Sequence, residues 1–213
     1  GYISDGFFSS YEDVASSPVQ FGQVSRPGDI KYKDLNHDGV IDSNDQAPIG
    51  YNPVPEMTFS LAAGLNWKGI DFSILLQGAA RSSIYLQQDI AWDNFWGNYY
   101  EEHIGRWTPE TAATATYPRF TKAATAAHPN YYKSDYWLKD SKYLRLKNIQ
   151  LGYTIPRKLL KKFGVRSLRV YANAYNLFTW DNVKKVDPES SNNSNGQFYP
   201  QQKVINFGIN LNF

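Results

Sequence analysis

Apolar and polar residues alternate along several stretches of the chain, with the period of two that is typical of half-buried β-strands. In residues 57–67, MTFSLAAGLNW, Met57 and Leu61 share one face with Trp67, and small or polar residues occupy the other. Residues 70–80 alternate in the same way after a two-residue turn. The pattern therefore predicts a hairpin of two long strands.

The same reasoning predicts three further strands, at residues 143–155, 168–180 and 203–213. In the last of them, the odd positions from 205 onward carry Ile, Phe or Leu, and most even positions carry Asn. Because the predicted elements are all strands, the pattern indicates an all-β fold of five antiparallel strands.

The connections between these strands are short and long in turn. Two short turns contrast with the long segments 81–142 and 181–202, and residues 1–56 precede the first strand. Since antiparallel strands place successive connections at opposite ends, the short turns share one end and the long loops share the other. Short periplasmic turns, long extracellular loops and strands of this length are typical of outer-membrane barrels. A half-exposed sheet in a soluble domain is the alternative interpretation.

Five strands are too few to close a barrel, and lipid tolerates no open sheet edge. If the strands span a membrane, we expect residues 57–213 to be part of a larger barrel whose remainder lies upstream. The absence of a signal peptide at the start of the sequence agrees with this expectation.

Composition narrows the possible functions. The chain has no cysteine, which excludes a disulfide scaffold and a thiolate metal site. A net charge of +2 gives no reason to expect nucleic acid as a partner. The one basic run, residues 156–166, is interpreted as a solvated turn. No apolar stretch is long enough to form a transmembrane helix.

Residues 34–45, DLNHDGVIDSND, match the calcium-binding loop of EF-hands closely. Oxygen ligands recur at the required spacing, and a glycine at position 6 allows the sharp turn. The predicted Ca²⁺ ligands are Asp34, Asn36, Asp38, Val40 through its carbonyl, Asp42 and Asp45. Because no amphipathic helices flank the loop, we expect a structural calcium site within the extracellular region 1–56.

The segment 90–107 is dense in aromatic residues, which bind sugars and peptides through their ring faces but also build the small cores of loops. The candidate substrate-binding residues are Trp92, Phe95, Trp96, Tyr99 and Tyr100. The neighbouring Glu101, Glu102 and His103 are interpreted as loop charges. The sequence contains no nucleophile or zinc-protease motif, so we expect no enzyme activity.

Several motifs together resemble the C-terminal part of SusC/RagA-type TonB-dependent outer-membrane transporters. They include PGDIKYKDLNHDGVIDSNDQAPIG (27–50), NWKGIDFSILLQG (66–78), YLRLKNIQLGYTIP (143–156) and LRVYANAYNLFTW (168–180). RWTPE, YPR, DPE and the terminal strand follow the family's order as well.

This resemblance implies a 22-stranded transmembrane β-barrel with long extracellular loops, a plug domain absent from this chain and a segment that contacts TonB. It also implies a SusD-like surface lipoprotein as a partner, with oligosaccharides or peptides as substrates. The location would be the outer membrane, with the C-terminus in the periplasm. Phe213 would be the aromatic that the insertion machinery reads, and Gly208 would leave room for the plug.

A soluble, calcium-stapled carbohydrate-binding β-domain of a secreted protein is the rival hypothesis. It shares the calcium loop and the aromatic residues with the barrel hypothesis. It differs in predicting a protein that folds in buffer without detergent.

Overall fold

The computed structural model describes residues 1–122, 125–184, 186–190, 199 and 201–213. They form two compact units. The loop unit comprises Gly1–Pro53 and Ser83–Asp140, and the sheet unit comprises Val54–Ser82, Ser141–Ser190 and Tyr199–Phe213. No helix in the described part of the chain combines the length and the apolar character needed to cross a membrane.

Strands account for most of the regular structure, and the helices are short. The strands are β1 (Ser4–Phe7), β2 (Val19–Gln20), β3 (Ile30–Tyr32), β4 (Val40–Ile41), β5 (Met57–Trp67), β6 (Ile70–Ala80), β7 (Ser83–Tyr85), β8 (Leu138–Asp140), β9 (Tyr143–Thr154), β10 (Ser167–Tyr175), β11 (Thr179–Asp181) and β12 (Val204–Asn212). The α-helices are α1 (Tyr11–Ser16) and α2 (Arg157–Leu160). Short 3-10 helices cover Ser43–Asp45, Gln88–Ile90, Glu101–Gly105, Pro129–Tyr131 and Lys161–Phe163.

The sheet unit is one antiparallel meander. Its strands lie in the order β12-β10-β9-β6-β5, so each long strand pairs with the next long strand along the chain, and the short β11 pairs with β9. Among the described residues, β5 and β12 each have a neighbour on one side only. The sheet therefore ends in two unpaired edges. In a closed barrel, further strands would pair with both of them.

The fourth long strand is shorter than the prediction for residues 168–180, which is a correction. β10 ends at Tyr175, and Asn176 adopts a φ of +51°, which breaks the extended backbone. The chain then bends, and the N–H of Leu146 donates to the carbonyl of Phe178 at 2.9 Å. β11 consequently resumes pairing with β9 rather than continuing β10.

The loop unit contains three small sheets, which the alternation pattern did not predict. β1 pairs with β3 and β7 with β8 in antiparallel fashion, whereas β2 pairs with β4 in parallel. Its core is largely aromatic. The buried rings are Phe8, Tyr32, Trp92, Tyr117, Tyr131 and Trp137.

An ion pair and its hydrogen bonds join three segments of the loop unit that are distant in the sequence. The carboxylate of Asp29 lies 2.7 Å from Nε of Arg119 and accepts from Nδ2 of Asn130 at 3.0 Å. The side-chain oxygen of Asn130 in turn accepts from the N–H of Ile30 at 2.8 Å. These partners are 90 residues or more apart in the sequence, so one carboxylate holds three segments of the unit together.

Candidate functional site

The sheet unit separates two different chemical environments. Cross-strand pairs place like residues together: Leu61 lies opposite Leu76 on one face, and Ser60 lies opposite Gln77 on the other. Since side chains alternate between the faces of a strand, each pairing register extends this sorting across the sheet. The two faces are called the apolar face and the polar face below.

The apolar face is exposed along its length. Its residues on the last three long strands include Ile149, Leu151, Tyr153, Val170, Ala172, Ile205, Phe207, Ile209 and Leu211. Phe207 is 83% exposed. Soluble monomers rarely leave an apolar surface of this extent uncovered, so the face requires lipid or protein to cover it.

The polar face carries an ion pair that spans three strands. Arg169 on β10 donates from Nε and Nη2 to the two carboxylate oxygens of Asp71 on β6, at 2.9 and 2.5 Å. The pair passes over Gly152 of the intervening strand β9, where a Cβ would lie 2.5 Å from the Asp71 carboxylate. The glycine on β9 therefore leaves room for this pair, and a larger side chain there would have to displace it.

Gly208 lies against a side chain of its own sheet. A Cβ at this position would lie 2.3 Å from the ring of Tyr171, its cross-strand partner on β10. The glycine thus makes room for a tyrosine of the same sheet. The expectation that it also leaves room for a plug domain stays a prediction.

Two buried amide oxygens on the polar face have no hydrogen-bond partner within the described residues. They are Oδ1 of Asn148 on β9 and Oδ1 of Asn173 on β10. Buried acceptors of this kind are normally satisfied by water or by another part of the protein. These two oxygens therefore need a partner that the described residues do not supply.

Arg145 on β9 is the centre of a charged network that the sequence analysis missed. Its side chain is only 2% exposed. The guanidinium donates to Asp187 Oδ1 at 2.7 Å, to Glu189 Oε2 at 2.6 Å and, through Nε, to Thr179 Oγ1 at 3.0 Å. Two carboxylates on one guanidinium satisfy its fixed donor geometry.

The same network ties the segment 186–190 to the sheet. The hydroxyl of Tyr143 and the ammonium of Lys147 both donate to Glu189, at 2.6 and 3.1 Å. The sequence signals were two basic residues near the start of the strand and the DPE triplet some 40 residues later. Their distance along the sequence gave no indication that they are in contact.

The predicted calcium loop, residues 34–45, forms a tight turn stabilised by its own hydrogen bonds. Asp34 accepts from the N–H groups of His37 and Gly39 at 2.7 and 2.9 Å, and Asp38 accepts from that of Val40 at 2.9 Å. Gly39 has a φ of +84°, which explains the glycine at the sixth position.

Asp45, the last predicted ligand, is fully buried and closes the loop. Its carboxylate accepts from the N–H groups of Leu35 and Asp42 at 2.7 and 2.9 Å. Burial by itself raises the pKa of Asp45, but hydrogen bonds from the backbone of Asp42 and Leu35 outweigh it and hold the pKa below its usual value. This carboxylate is therefore ionised, and it joins the two ends of the loop.

The donor chemistry of the loop fits Ca²⁺, because every predicted ligand offers oxygen. Asn36 donates from Nδ2 to Asp38 Oδ2 at 2.8 Å, so two of these ligands are adjacent. Within the described ranges, however, no three His, Cys, Asp or Glu side chains are grouped so as to hold a metal. A calcium ion would thus depend on Asn36 and on the carbonyl of Val40 as well as on carboxylates.

The five candidate substrate-binding aromatics do not form one cluster. Trp92 is 3% exposed and packs on Tyr131 with ring centroids 4.7 Å apart. Phe95 lies edge-on between Trp92 and Trp96. Trp96 is 84% exposed. The structure thus assigns Trp92 to the core of the loop unit.

Tyr99 and Tyr100 lie on a second aromatic group around His103. Both rings contact the imidazole, and Tyr99 also contacts Phe120. Both tyrosines are exposed, as is Trp96. Three of the five candidates are therefore available to a ligand on the surface of the loop unit.

The chain is similar in sequence to TonB-dependent receptors. The TonB-dependent receptor P26 of Formosa agariphila is 30% identical over 225 residues, which cover 98% of this chain and 22% of that receptor. The TonB-dependent receptor SusC of Bacteroides thetaiotaomicron is 26% identical over 215 residues, which cover 100% of this chain and 20% of SusC. The chain thus spans about a fifth of the length of these curated relatives. No family model matches it.

Solved structures of the RagAB peptide importer share the fold. In the open-open state, the match has a TM-score of 0.70 and 20% identity, and it covers 100% of this chain and 22% of that chain. In the closed-closed state, the TM-score is 0.67 at 20% identity, with coverage of 99% and 22%. The predicted class, antiparallel strands from part of a transporter barrel, is confirmed.

Proposed function

Because the chain belongs to the SusC/RagA-type TonB-dependent receptors, we propose that the whole protein is an outer-membrane importer and that this chain forms part of its barrel wall. The observation that carries the proposal is the sorting of the sheet unit into an exposed apolar face and a polar face. A barrel wall needs lipid-facing apolar residues and lumen-facing polar residues in strict alternation. The two unpaired sheet edges support the same proposal, since further strands of the barrel would pair with them.

The proposed activity is import of oligosaccharides or peptides, driven through TonB, together with a SusD-like surface lipoprotein. One structural neighbour is described as a peptide importer, which supports peptides as one substrate class. The exposed Trp96, Tyr99 and Tyr100 suit either class, because ring faces bind sugars and peptide side chains alike. In this proposal, the protein moves its substrate without chemical conversion and is not an enzyme.

The loop unit is proposed to lie on the extracellular side, where it would meet the substrate and the lipoprotein. Support comes from connection lengths, because the sheet unit has its short turns at one end and its long insertions at the other. The plug and the TonB-contacting segment would come from parts of the protein outside this chain.

The full-length receptor provides the test. We expect it in the outer-membrane fraction, extracted only by detergent, and we expect uptake of labelled oligosaccharides or peptides that stops when the proton-motive force is collapsed. Recovery of the receptor as a soluble protein without detergent would contradict the proposal. That result would favour the soluble, calcium-stapled carbohydrate-binding domain instead.

We also propose that residues 34–45 bind Ca²⁺ as a structural ion. Oxygen-only donors and the tight turn at Gly39 support this, while the hydrogen bonds of Asp34 and Asp45 show that the loop also has internal support. Calorimetric titration of the receptor with Ca²⁺ should show binding that is lost in Asp34→Ala/Asp38→Ala. Limited proteolysis should then cut residues 27–50 faster. If calcium changes neither measurement in the unmodified receptor, the site is refuted.

A further inference from the structure

The connection between β9 and β10 concentrates positive charge without any compensating carboxylate. This connection, residues 156–166, is called the basic turn. It carries five basic residues, and the sequence contains no Asp or Glu between Asp140 and Asp181. The five residues are Arg157, Lys158, Lys161, Lys162 and Arg166. All of them are exposed.

The basic residues at the far end of the same sheet, unlike these side chains, are paired with carboxylates. There, Arg145 and Lys147 are bound by Asp187 and Glu189 at 2.6 to 3.1 Å. In the described part of the chain, no side chain of the basic turn forms an ion pair within 4.0 Å. The positive charge of the turn is therefore available to an external anion.

The basic turn lies at the end of the sheet where the chain also makes its other short turn. The N–H of Thr154 donates to the carbonyl of Gly69 at 2.7 Å, and that of Arg166 donates to the carbonyl of Asn212 at 2.8 Å. The adjacent Trp67 is exposed, with Nζ of Lys68 4.9 Å above its ring. Exposed aromatic and basic groups thus form a band at this end of the apolar face.

The turn is also amphipathic. Leu160 is buried and anchors it, whereas Leu159 and Phe163 are 65% and 75% exposed. These two residues are four apart in a segment with helical hydrogen bonding, so they project from the same side. Lysine side chains beside exposed Leu and Phe are the pattern by which short helical segments lie in a membrane interface.

We propose that the basic turn binds the phosphate headgroups of anionic phospholipids in the leaflet at this end of the barrel, with Leu159 and Phe163 in the acyl boundary. This inference rests on the proposed function, since it requires lipid against the apolar face. The apolar face leads directly to this band, so headgroups are the groups that must lie beside it. The net positive charge is complementary to phosphate, and it disfavours a neutral headgroup or a basic partner.

The test uses the full-length receptor in nanodiscs made of phosphatidylcholine with a minor fraction of phosphatidylglycerol. Native mass spectrometry of lipids retained after detergent transfer measures the preference for phosphatidylglycerol. We expect a preference in the unmodified receptor that falls about tenfold or more in Lys158→Gln/Lys161→Gln/Lys162→Gln, since each interfacial lysine contributes separately. The control Lys33→Gln/Lys139→Gln/Lys203→Gln removes the same charge from exposed lysines elsewhere and should leave the preference unchanged.

A second variant distinguishes insertion of the apolar side chains into the membrane from attraction by positive charge. Leu159→Ser/Phe163→Ser keeps all five positive charges, and we expect it to weaken retention of both lipids. Equal phosphatidylglycerol preference in the unmodified receptor and the triple lysine variant would overturn the proposal, as would the same loss in the control. A receptor that enters nanodiscs without any such preference refutes this inference alone. One that enters no bilayer refutes the proposed function.

Discussion

The two units of this chain differ in where they place their largest groups of aromatic residues. In the loop unit, the rings of Tyr32, Trp92 and Trp137 are buried against one another. In the sheet unit, the rings of Phe207 and Trp67 face outward and are exposed. The overall aromatic content of 16% describes both units equally and distinguishes neither.

This difference shows that the spacing of aromatic residues along the sequence, and not their number, indicates whether a segment is surrounded by water or by lipid. Aromatics of the loop unit occur at irregular intervals, and they pack into a core closed by buried hydrogen bonds such as Tyr117 to Asp93. Aromatics of the sheet unit occur at alternate positions, so a whole face becomes apolar. The buried core of the loop unit suits a segment surrounded by water, and the apolar face of the sheet unit suits contact with lipid.

The largest expected effect concerns the buried aromatics of the loop unit. Trp92→Ala removes a core side chain and should destabilise the loop unit by about 3–5 kcal/mol. Trp96→Ala, four positions away but exposed, should change stability by no more than about 0.5 kcal/mol. Pulse proteolysis of the full-length receptor in increasing urea measures both. Equal losses in the two variants would mean that the loop unit has no separate aromatic core.

A charge on the apolar face is expected to have the next largest effect. Phe207→Arg places a guanidinium at the middle of β12 and should cost about 2–4 kcal/mol if that face lies in lipid. Asn206→Arg, on the polar face of the same strand, is the matched control and should cost much less. Unfolding of the receptor from lipid vesicles by guanidinium gives both values. A larger loss for Asn206→Arg would reverse the assignment of the faces.

The Arg145 network should contribute a smaller amount. Arg145→Met leaves Asp187 and Glu189 without their main partner, and we expect a loss of about 2 kcal/mol because both carboxylates keep some contact with solvent. Hydrogen exchange of residues 186–190 should accelerate in this variant. The control Arg81→Met removes an exposed arginine 3.8 Å from Glu56 and should leave that exchange unchanged. Unaltered exchange in both variants would show that the network does not hold the segment.

The smallest expected effect is a pH dependence in the loop unit. Hydrogen bonds from Lys31 and then from the N–H of Ser9 lower the pKa of Asp13 to about 2. Its usual value is about 4, so the stabilising contribution is present above pH 4 and is lost as the pH falls through about 2. Asp13→Asn should cost at most about 1 kcal/mol at pH 7, because the pair is partly exposed.

The measurement compares urea unfolding of the loop unit at pH 7 and pH 2. The difference between Asp13→Asn and the unmodified receptor should be present in full at pH 7 and mostly lost at pH 2. Asp5→Asn, an exposed residue 3.8 Å from Lys33, is the control and should show the smaller difference at pH 7. A difference for Asp13→Asn that is the same at both pH values would exclude the ion pair with Lys31 as its cause.

The sequence predicted those features that depend on local alternation. The strands around Leu61, Leu76 and Ile209 follow a period of two, and the structure places them as that period requires. The end of β10 was not predictable from the same pattern, because the left-handed backbone of Asn176 interrupts a strand-like segment that runs on to Trp180 in the sequence.

Features that depend on distant contacts were missed for a physical reason. Arg145 binds residues 42 and 44 positions away, and Arg119 binds a carboxylate 90 positions away. The contact between Gly208 and Tyr171 was missed because the strand of Gly208 gives no sign of its cross-strand partner. Among the candidate ligand residues, spacing identified the aromatic segment but did not separate the buried Trp92 from the exposed Trp96.

The measurement that tests the central claim most directly is a site-by-site scan of β12 for lipid contact. The chain has no cysteine, so single cysteines at positions 204–207 and 209–212 of a receptor without other cysteines accept one spin label each. Gly208 is left in place because a side chain there would meet the ring of Tyr171. In a reconstituted bilayer, we predict that labels at 205, 207, 209 and 211 collide with oxygen, and that labels at 206, 210 and 212 collide with a water-soluble nickel complex. Collision rates that do not alternate along the strand, or that show water at every position, would contradict the account of this sheet as a barrel wall.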